Sequence, residues 1–352
     1  MIHIVGRRDA AKRLGGDALQ IDETAQVLRD AGHLARVHAT SDFTPDPGDV
    51  VHLHNIQRVH DWGDLPERAR AAGADIVITP LYHPTDDYHR RGRRGLDAGI
   101  ARLLPDADVF AGLRWGRSGL KERAAEVLAL AKRLLLVHEG EGGLLDRDFG
   151  ATGTPTSVVP VAIPAVPPSP DVSANLDLPT EPFIACVGRI EPLKNSAAVL
   201  DVARQINTPV VFAGPFAGPR HAGYVARFRA AVATSKMATH LGEVSREEVL
   251  QLLRRAHVHV LASWTEVVGR ATLEAAASGA ATVFTDVGFA PTYLAGTSAL
   301  AVSPGDPDAL RLALETALGV PRPGPTGVLA QRVRDRYTWN VVGPALVAGV
   351  TG

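Results

Sequence analysis

Cysteine is nearly absent from this chain: one in 352 residues, so no disulfide framework can form within it. That cysteine, Cys186, lies in the apolar run "FIACVG" and reads as a small buried hydrophobe rather than a reactive thiol. Long hydrophobic runs are absent too. No stretch approaches the roughly 18 apolar residues of a membrane span, and the N-terminal "MIHIVGRR" is too short for a signal core, so a cytoplasmic protein is expected. Excess charge of either sign is missing, with 37 Lys and Arg against 38 Asp and Glu and a net charge of −1. No global field therefore gathers nucleic acid or an anionic membrane, and an anionic ligand has to be held by individual Arg and Lys residues. The spacing from Gly6 to Gly15 does not make G-x-G-x-x-G, which argues against a nicotinamide-dependent oxidoreductase.

What is present is ordinary globular composition, 45% hydrophobic and 21% charged, in a chain longer than one core usually serves. Short β-type runs alternate with helix-length segments, the pattern of parallel-sheet α/β domains. In the first half the strand candidates are "MIHIVG", "LARVHAT", "DVVHLHN", "ADIVITP", "ADVFAGL" and "RLLLVHE". The segment from Leu19 to Ala31 carries Ile21, Ala25 and Leu28 at helical spacing before Gly32, a C-terminal cap. The second half repeats the alternation with "FIACVGR", "PVVFAGP", "ATHLG", "HVHVLAS" and "ATVFTD". Between them "IPAVPPSPDVSANLDLPTEP" has linker composition. The expected organisation is a first domain over 1–165, a linker over 166–182 and a second domain over 183–336. Ligands of open α/β sheets bind beyond the carboxyl ends of the strands, which makes the cleft between two such domains the default site.

Two stretches in the second half carry chemistry. After "FIACVG" come Arg189 and, five positions on, Lys194, leading into a helix; this pair suits a diphosphate, though solvated surface cations are the bland alternative. After "HVHVLAS" comes "SWTEVVGRATLEAAASGA", with a helix expected to start near Gly269. There the N–H groups of Arg270 and Ala271 would face an anion at the positive end of the helix dipole. Glu274, a turn further in, suits the hydroxyls of a ribose, and Glu266 in the loop would face the group beyond the phosphates. As isolated acids they read equally as a helix-start glutamate and a loop residue.

Taken together, "GRIEPLKN" and "SWTEVVGRATLEAAASGAATVFTDVG" resemble the retaining family 4 glycosyltransferases. The signature there is Gly-Arg with a lysine five positions after the arginine, then two glutamates separated by seven residues; Arg189, Lys194, Glu266 and Glu274 match it. The resemblance implies the GT-B fold, two facing Rossmann-like domains with a C-terminal helix, about 337–352, crossing back to complete the first. It implies transfer of a sugar, with retention, from a nucleotide-diphosphate sugar to an acceptor hydroxyl in a natural-product or surface-polysaccharide pathway. His83, Arg189, Lys194 and Glu266 would act at the reacting centre, and Gly15, Gly16, Gly269, Arg270, Ala271 and Glu274 would complete the donor site. No metal and no cofactor beyond the donor are implied. Asp17, after the glycine pair, fits a helix N-cap as well as any functional role.

The chain departs from the pattern at Val267 and Val268, where glycine and an aromatic are usual, and at Arg270 and Ala271, where aliphatic residues are common. His52 and His54 share one strand face by period 2 but lack a third metal ligand. The Asp-x-Asp triplets at 106–108, 146–148 and 306–308 read as turns or helix caps. The cluster His89, Arg90, Arg91, Arg93 and Arg94 in "YHRRGRRG" fits an anionic acceptor, a membrane surface or a solvated loop. The sequence leaves the nucleotide base, donor sugar, acceptor and oligomeric state open. Rival readings are a sugar-nucleotide-binding protein without activity and a GT-B-shaped nucleotide-sugar epimerase.

Overall fold

The computed structural model describes residues 1–7, 16–93, 99, 103, 119–150, 152–166 and 176–352. Its described residues divide into two compact units, one within Met1–Pro84, Leu104–Pro164 and Tyr337–Gly352, the other within Thr85–Leu103 and Ala165–Arg336.

The first unit runs β1 (Ile2–Val5), α1 (Gly16–Asp30), β2 (Ala35–His38), β3 (Val50–His54), α2 (Leu65–Ala72), β4 (Asp75–Thr79), α3 (Leu120–Leu130), β5 (Arg133–Leu136), α4 (Glu139–Phe149) and β6 (Thr156–Val158). Its six strands are parallel in the order β2-β1-β3-β4-β5-β6. Side chains alternate faces along each strand, so both faces must be covered, and the strands read as nearly continuous apolar runs. Val51, Leu53, Ile76 and Ile78 pack with Trp62, Leu65 and Leu128 on one face. On the other, Ile4, Val77 and Leu135 pack with Ile21, Ala25 and Leu28 of α1 and with Val342, Leu346 and Val350 of the C-terminal helix Trp339–Thr351. That helix is fixed further by Trp339, whose Nε1–H donates to Glu23 Oε2 at 2.7 Å.

His52 and His54 are core residues here, their rings 4.1 Å apart and His52 Nε2 2.8 Å from Thr79 Oγ1. Burial lowers both pKa values, that of His54 to about 3, so the rings are neutral. Among the described residues, no three His, Cys, Asp or Glu side chains gather as a metal site.

The second unit runs β7 (Ile184–Val187), α5 (Ser196–Gln205), β8 (Val210–Ala213), α6 (Ala222–Ala233), β9 (Ala238–His240), α7 (Arg246–Arg255), β10 (Val258–Leu261), α8 (Arg270–Ala277), β11 (Ala281–Thr285), α9 (Ala290–Tyr293), β12 (Leu300–Val302), α10 (Pro307–Leu318) and α11 (Val328–Arg336). The sheet is parallel in the order β12-β11-β10-β7-β8-β9. The order reverses between β7 and its neighbour β10, so the loops after these two strands diverge and leave a crevice, the usual ligand position in such sheets. Ser245 starts α7 with a reciprocal capping box to Glu248, and Asp306 caps α10 by accepting from the backbone of Asp308 and Ala309.

Several expectations need amendment. The Asp146–Asp148 triplet is not a cap but lies inside α4, where Asp148 Oδ2 accepts from the Tyr82 hydroxyl at 2.8 Å. Residues 106–108 and "ADVFAGL" fall outside the described residues. The end of the expected linker is packed, with Leu176 and Leu178 against the cluster of Phe183, Ala185 and Leu252. The segment from Thr85 goes with the second unit rather than the first, because Arg91 stacks over Trp264, 5.9 Å from the ring centroid. No helix among the described residues is long and apolar enough to cross a membrane.

Candidate functional site

The loop after β7 is shaped by close backbone contact. Gly188 N–H donates to Ala213 O at 2.9 Å, and a Cβ on Gly214 would lie 2.3 Å from Gly188 O, so only glycine lets β7 and β8 end side by side. The chain then presents Arg189, whose guanidinium is 31% exposed and meets Glu191 only at 3.9 Å, and makes a single 3-10 turn over Pro192–Lys194. Asn195 closes the turn in the left-handed region, φ 57°, and its side-chain amide donates to Pro304 O at 2.9 Å.

The loop after β10 is fastened to this one. Trp264 N–H donates to Leu193 O at 2.8 Å, and the Lys194 ammonium donates to Glu266 Oε2, which Ser263 Oγ also approaches at 3.5 Å. Burial works against the lysine's charge, but Glu266, with Glu191 behind it, outweighs burial and raises its pKa above the ordinary value. On the far side the loop leans on the turn after β11. Phe289 N–H donates to Val267 O at 2.8 Å, and a Cβ on Gly288, φ 92°, would stand 1.8 Å from Glu266 O.

Gly269 then starts α8 in a left-handed conformation, φ 80°, and no side chain caps the helix. Its carbonyl accepts from Thr272 and Leu273. The first N–H groups of a helix have no partner within it, and the dipole is positive there. The turn containing Arg270 and Ala271 is therefore suited to an anion.

Glu274 is 6% exposed and differs from the free ribose-gripping acid the sequence suggests. Arg246 Nη1 donates to its Oε1 at 3.0 Å, and Arg270 Nη2 lies 3.8 Å from the same oxygen. One oxygen of the carboxylate is thus anchored, and among the described residues Oε2 accepts no hydrogen bond. The Arg270 side chain folds back one turn onto the acid, and Val268, replacing the usual aromatic, is buried.

His83 lies in the first unit, after β4. Its Nδ1 is 3.1 Å from Pro84 O, a carbonyl that only accepts, so Nδ1 carries a proton toward it. Gly16 is the first residue of α1; Gly15 lies outside the described residues. The basic cluster is largely neutralised in place. Arg90 pairs with Asp86 at 2.6 Å and Arg91 with Asp87 at 3.3 Å, Arg93 lies over the Tyr88 ring, and burial lowers the His89 pKa to about 4. Arg94 is outside the described residues.

The second unit thus brings Arg189, Lys194, Glu266, Gly269 and Glu274 together on the two loops that flank the switch between β7 and β10. The sequence does not point to Trp264 and Gly288, which hold those loops, or to Arg246, which anchors Glu274. Gly288 ends the stretch "SWTEVVGRATLEAAASGAATVFTDVG", but nothing in its spacing tells that it abuts the Glu266 backbone. The Arg246 contact joins two helices and leaves no spacing to read.

Two parallel-sheet α/β units with such a site define the GT-B fold. The solved structures agree on the fold: sucrose-phosphate synthase (tll1590) from Thermosynechococcus elongatus, with a TM-score of 0.76 and 17% identity, covers 97% of this chain and 96% of its own. Anabaena Alr3699/HepE, in complex with UDP-glucose, gives a TM-score of 0.69 at 14% identity over 99% of this chain and 98% of its own. Residues 171–322 match the family Glycosyl transferases group 1, so the second unit carries a domain of that kind. D-inositol 3-phosphate glycosyltransferase of Nocardia farcinica is 28% identical over 177 residues, 46% of this chain; the match spans only 39% of that relative's length.

Proposed function

We propose that the protein is a retaining glycosyltransferase of the family 4 kind, with Glu266 and Glu274 as its Glu-x7-Glu pair, moving a sugar from a nucleotide-diphosphate sugar to an acceptor hydroxyl. The observation that carries this reading is the Lys194–Glu266 contact, which locks the two loops at the switch together beside Arg189 and the uncapped start of α8. As the sugar–oxygen bond breaks, negative charge grows on the departing diphosphate. Arg189, Lys194 and the α8 amides are preorganised to stabilise it, and stabilising such developing charge is commonly the main source of rate enhancement. The acceptor oxygen bonds to the anomeric carbon on the face the diphosphate leaves, and its proton passes to the leaving phosphate oxygen. Glu266 holds the sugar, the outer oxygen of Glu274 takes the ribose, and His83 orients donor or acceptor from the first unit.

This reaction runs without a metal or further cofactor, in the cytoplasm, on a small-molecule or glycan acceptor of a natural-product or surface-polysaccharide pathway. The UDP-glucose complex of HepE makes UDP the first nucleotide to try. In a thermal-shift screen with EDTA present, one of UDP, GDP, ADP and dTDP should raise the melting temperature, and the matching donor should then be consumed. Failure of all four at millimolar concentration, with no donor consumed, would overturn the proposal. Conversion of donor alone to an epimer would replace it with the epimerase reading.

A further inference from the structure

Glu141 has no exposure at all, and no cation pairs with it among the described residues. A carboxylate placed so is costly, and an apolar residue would serve the core better. It stands at the third position of α4, from which a glutamate ordinarily reaches back to the residue capping its own helix. Here it reaches elsewhere. Oε2 accepts from Val137 N at 2.7 Å in the loop after β5, and Oε1 accepts from Tyr82 N at 2.6 Å in the loop after β4.

Tyr82 immediately precedes His83, and this short segment is held at every step. Leu81 takes a left-handed backbone, φ 49°, which turns the next N–H toward Glu141. The Tyr82 hydroxyl donates to Asp148 Oδ2 at 2.8 Å, and its ring meets Phe149 edge-on. On the other side His83 O accepts from Gln57 Nε2 at 2.9 Å, and Gln57 N is itself bound to Asn55 Oδ1 at 3.2 Å. The segments after β3, β4 and β5 therefore meet around Tyr82 and His83, Gln57 holding the His83 carbonyl and Glu141 the N–H of the residue before the histidine.

We propose that Glu141 is a positioning residue for His83, its carboxyl group bridging the loops after β4 and β5 to fix the Leu81–Tyr82 peptide that leads into the histidine. This inference rests on the reading that His83 faces the reacting sugar. It explains why an acid sits where the core favours an apolar side chain. Two N–H donors need two acceptor oxygens, which a carboxyl group supplies whether or not one oxygen carries a proton, and an amide does not.

The test compares wild type, Glu141→Gln, His83→Ala and the double variant. Glu141→Gln keeps the shape but turns an NH2 toward one of the two backbone donors. It should bind the nucleotide identified by thermal shift within about twofold of wild type, because the donor site lies on the second unit, yet lower kcat by about 10- to 100-fold. The side-chain NMR signals of His83 should move while those of the core His52 and His54 stay. In the His83→Ala background the same change should cost no more than about twofold. Wild-type kcat in Glu141→Gln, unmoved His83 signals, or a full further loss in the double variant would overturn the inference. Should wild type transfer no sugar, the functional reading fails, and the NMR comparison still decides the positioning. If Glu141→Gln does not fold, hydrogen exchange on wild type decides: Tyr82 N–H should exchange as slowly as the amides of β4, and exchange at ordinary loop rates would overturn the bridge.

Discussion

The ammonium of Lys194 rests on the carboxylate of Glu266, 72 positions later in the chain. The pair joins the loops on either side of the sheet's switch point, and it is close to neutral. On the proposed function, the net positive charge a diphosphate would meet comes from Arg189 and the start of α8, while Lys194 also neutralises Glu266.

Removing either partner should have opposite effects on nucleotide binding. Lys194→Ala leaves an uncompensated acid facing the diphosphate and should weaken nucleoside diphosphate binding by about 10- to 100-fold, the scale of a charge-assisted hydrogen bond. Glu266→Ala should leave that affinity unchanged or raise it while sharply lowering transfer. Calorimetric titration with the nucleotide checks both, and equal weakening by the two variants would refute the division of roles.

Glu274 should matter to the fold as well as to the ligand. Glu274→Ala removes one partner from Arg246 and from Arg270, whose side chain is only 9% exposed, and should cost about 2 kcal/mol of stability. Glu274→Gln keeps an oxygen for Arg246 and should cost less while still lowering transfer. Chemical denaturation compares the two; a fully stable Glu274→Ala would show that the arginine contacts contribute nothing.

At Gly288 a single methyl group should disturb the site from outside it. The Cβ of Gly288→Ala would collide with Glu266 O, and φ of 92° is strained for alanine, so a loss of about 2–4 kcal/mol is expected together with weaker nucleotide binding. Gly269→Ala has the same backbone strain but contacts no closer than 3.0 Å, and should be the less destabilised of the two. Melting temperatures in the reverse order would contradict this account.

Glu141 gives stability a pH dependence. Burial raises its pKa from 4.5 to about 7, against the pull of the two backbone N–H groups. Between these values the folded protein keeps a proton that the unfolded chain has released, so this contribution is full below about pH 4.5 and is lost as pH rises through about 7. It is worth about 3 kcal/mol. The stability difference between wild type and Glu141→Gln, measured by denaturation from pH 4 to 8, should shift by that amount against wild type; a flat difference would refute it.

Much of the fold was legible because parallel strands covered on both faces read as apolar runs, as "VVHLH" and "HVHVL" do. β6 and β12, three residues each, did not stand out from the loop sequence around them. The placement of the segment from Thr85 to Arg93 was hidden as well, since a guanidinium over Trp264 has no periodicity and joins distant parts of the chain. In the site, spacing pointed to Arg189, Lys194, Glu266 and Glu274 and sets Arg270 and Glu274 four apart on one helix, but it says nothing of the Lys194–Glu266 and Arg246–Glu274 contacts, which join distant parts of the chain. Glu141 escaped notice because "HEGEGG" looks like a solvated acidic turn.

Helix Trp339–Thr351 supplies Val342, Leu346 and Val350 to a core that begins with Ile2 and Ile4. The first unit is thus closed by residues made more than three hundred positions after its first strand. During synthesis the stripe of this core that Val342, Leu346 and Val350 cover must wait exposed until nearly all of the second unit has been made. A fragment ending at the linker should share that exposed stripe and aggregate, so the division into two units is one of architecture, and neither follows from cutting the chain once.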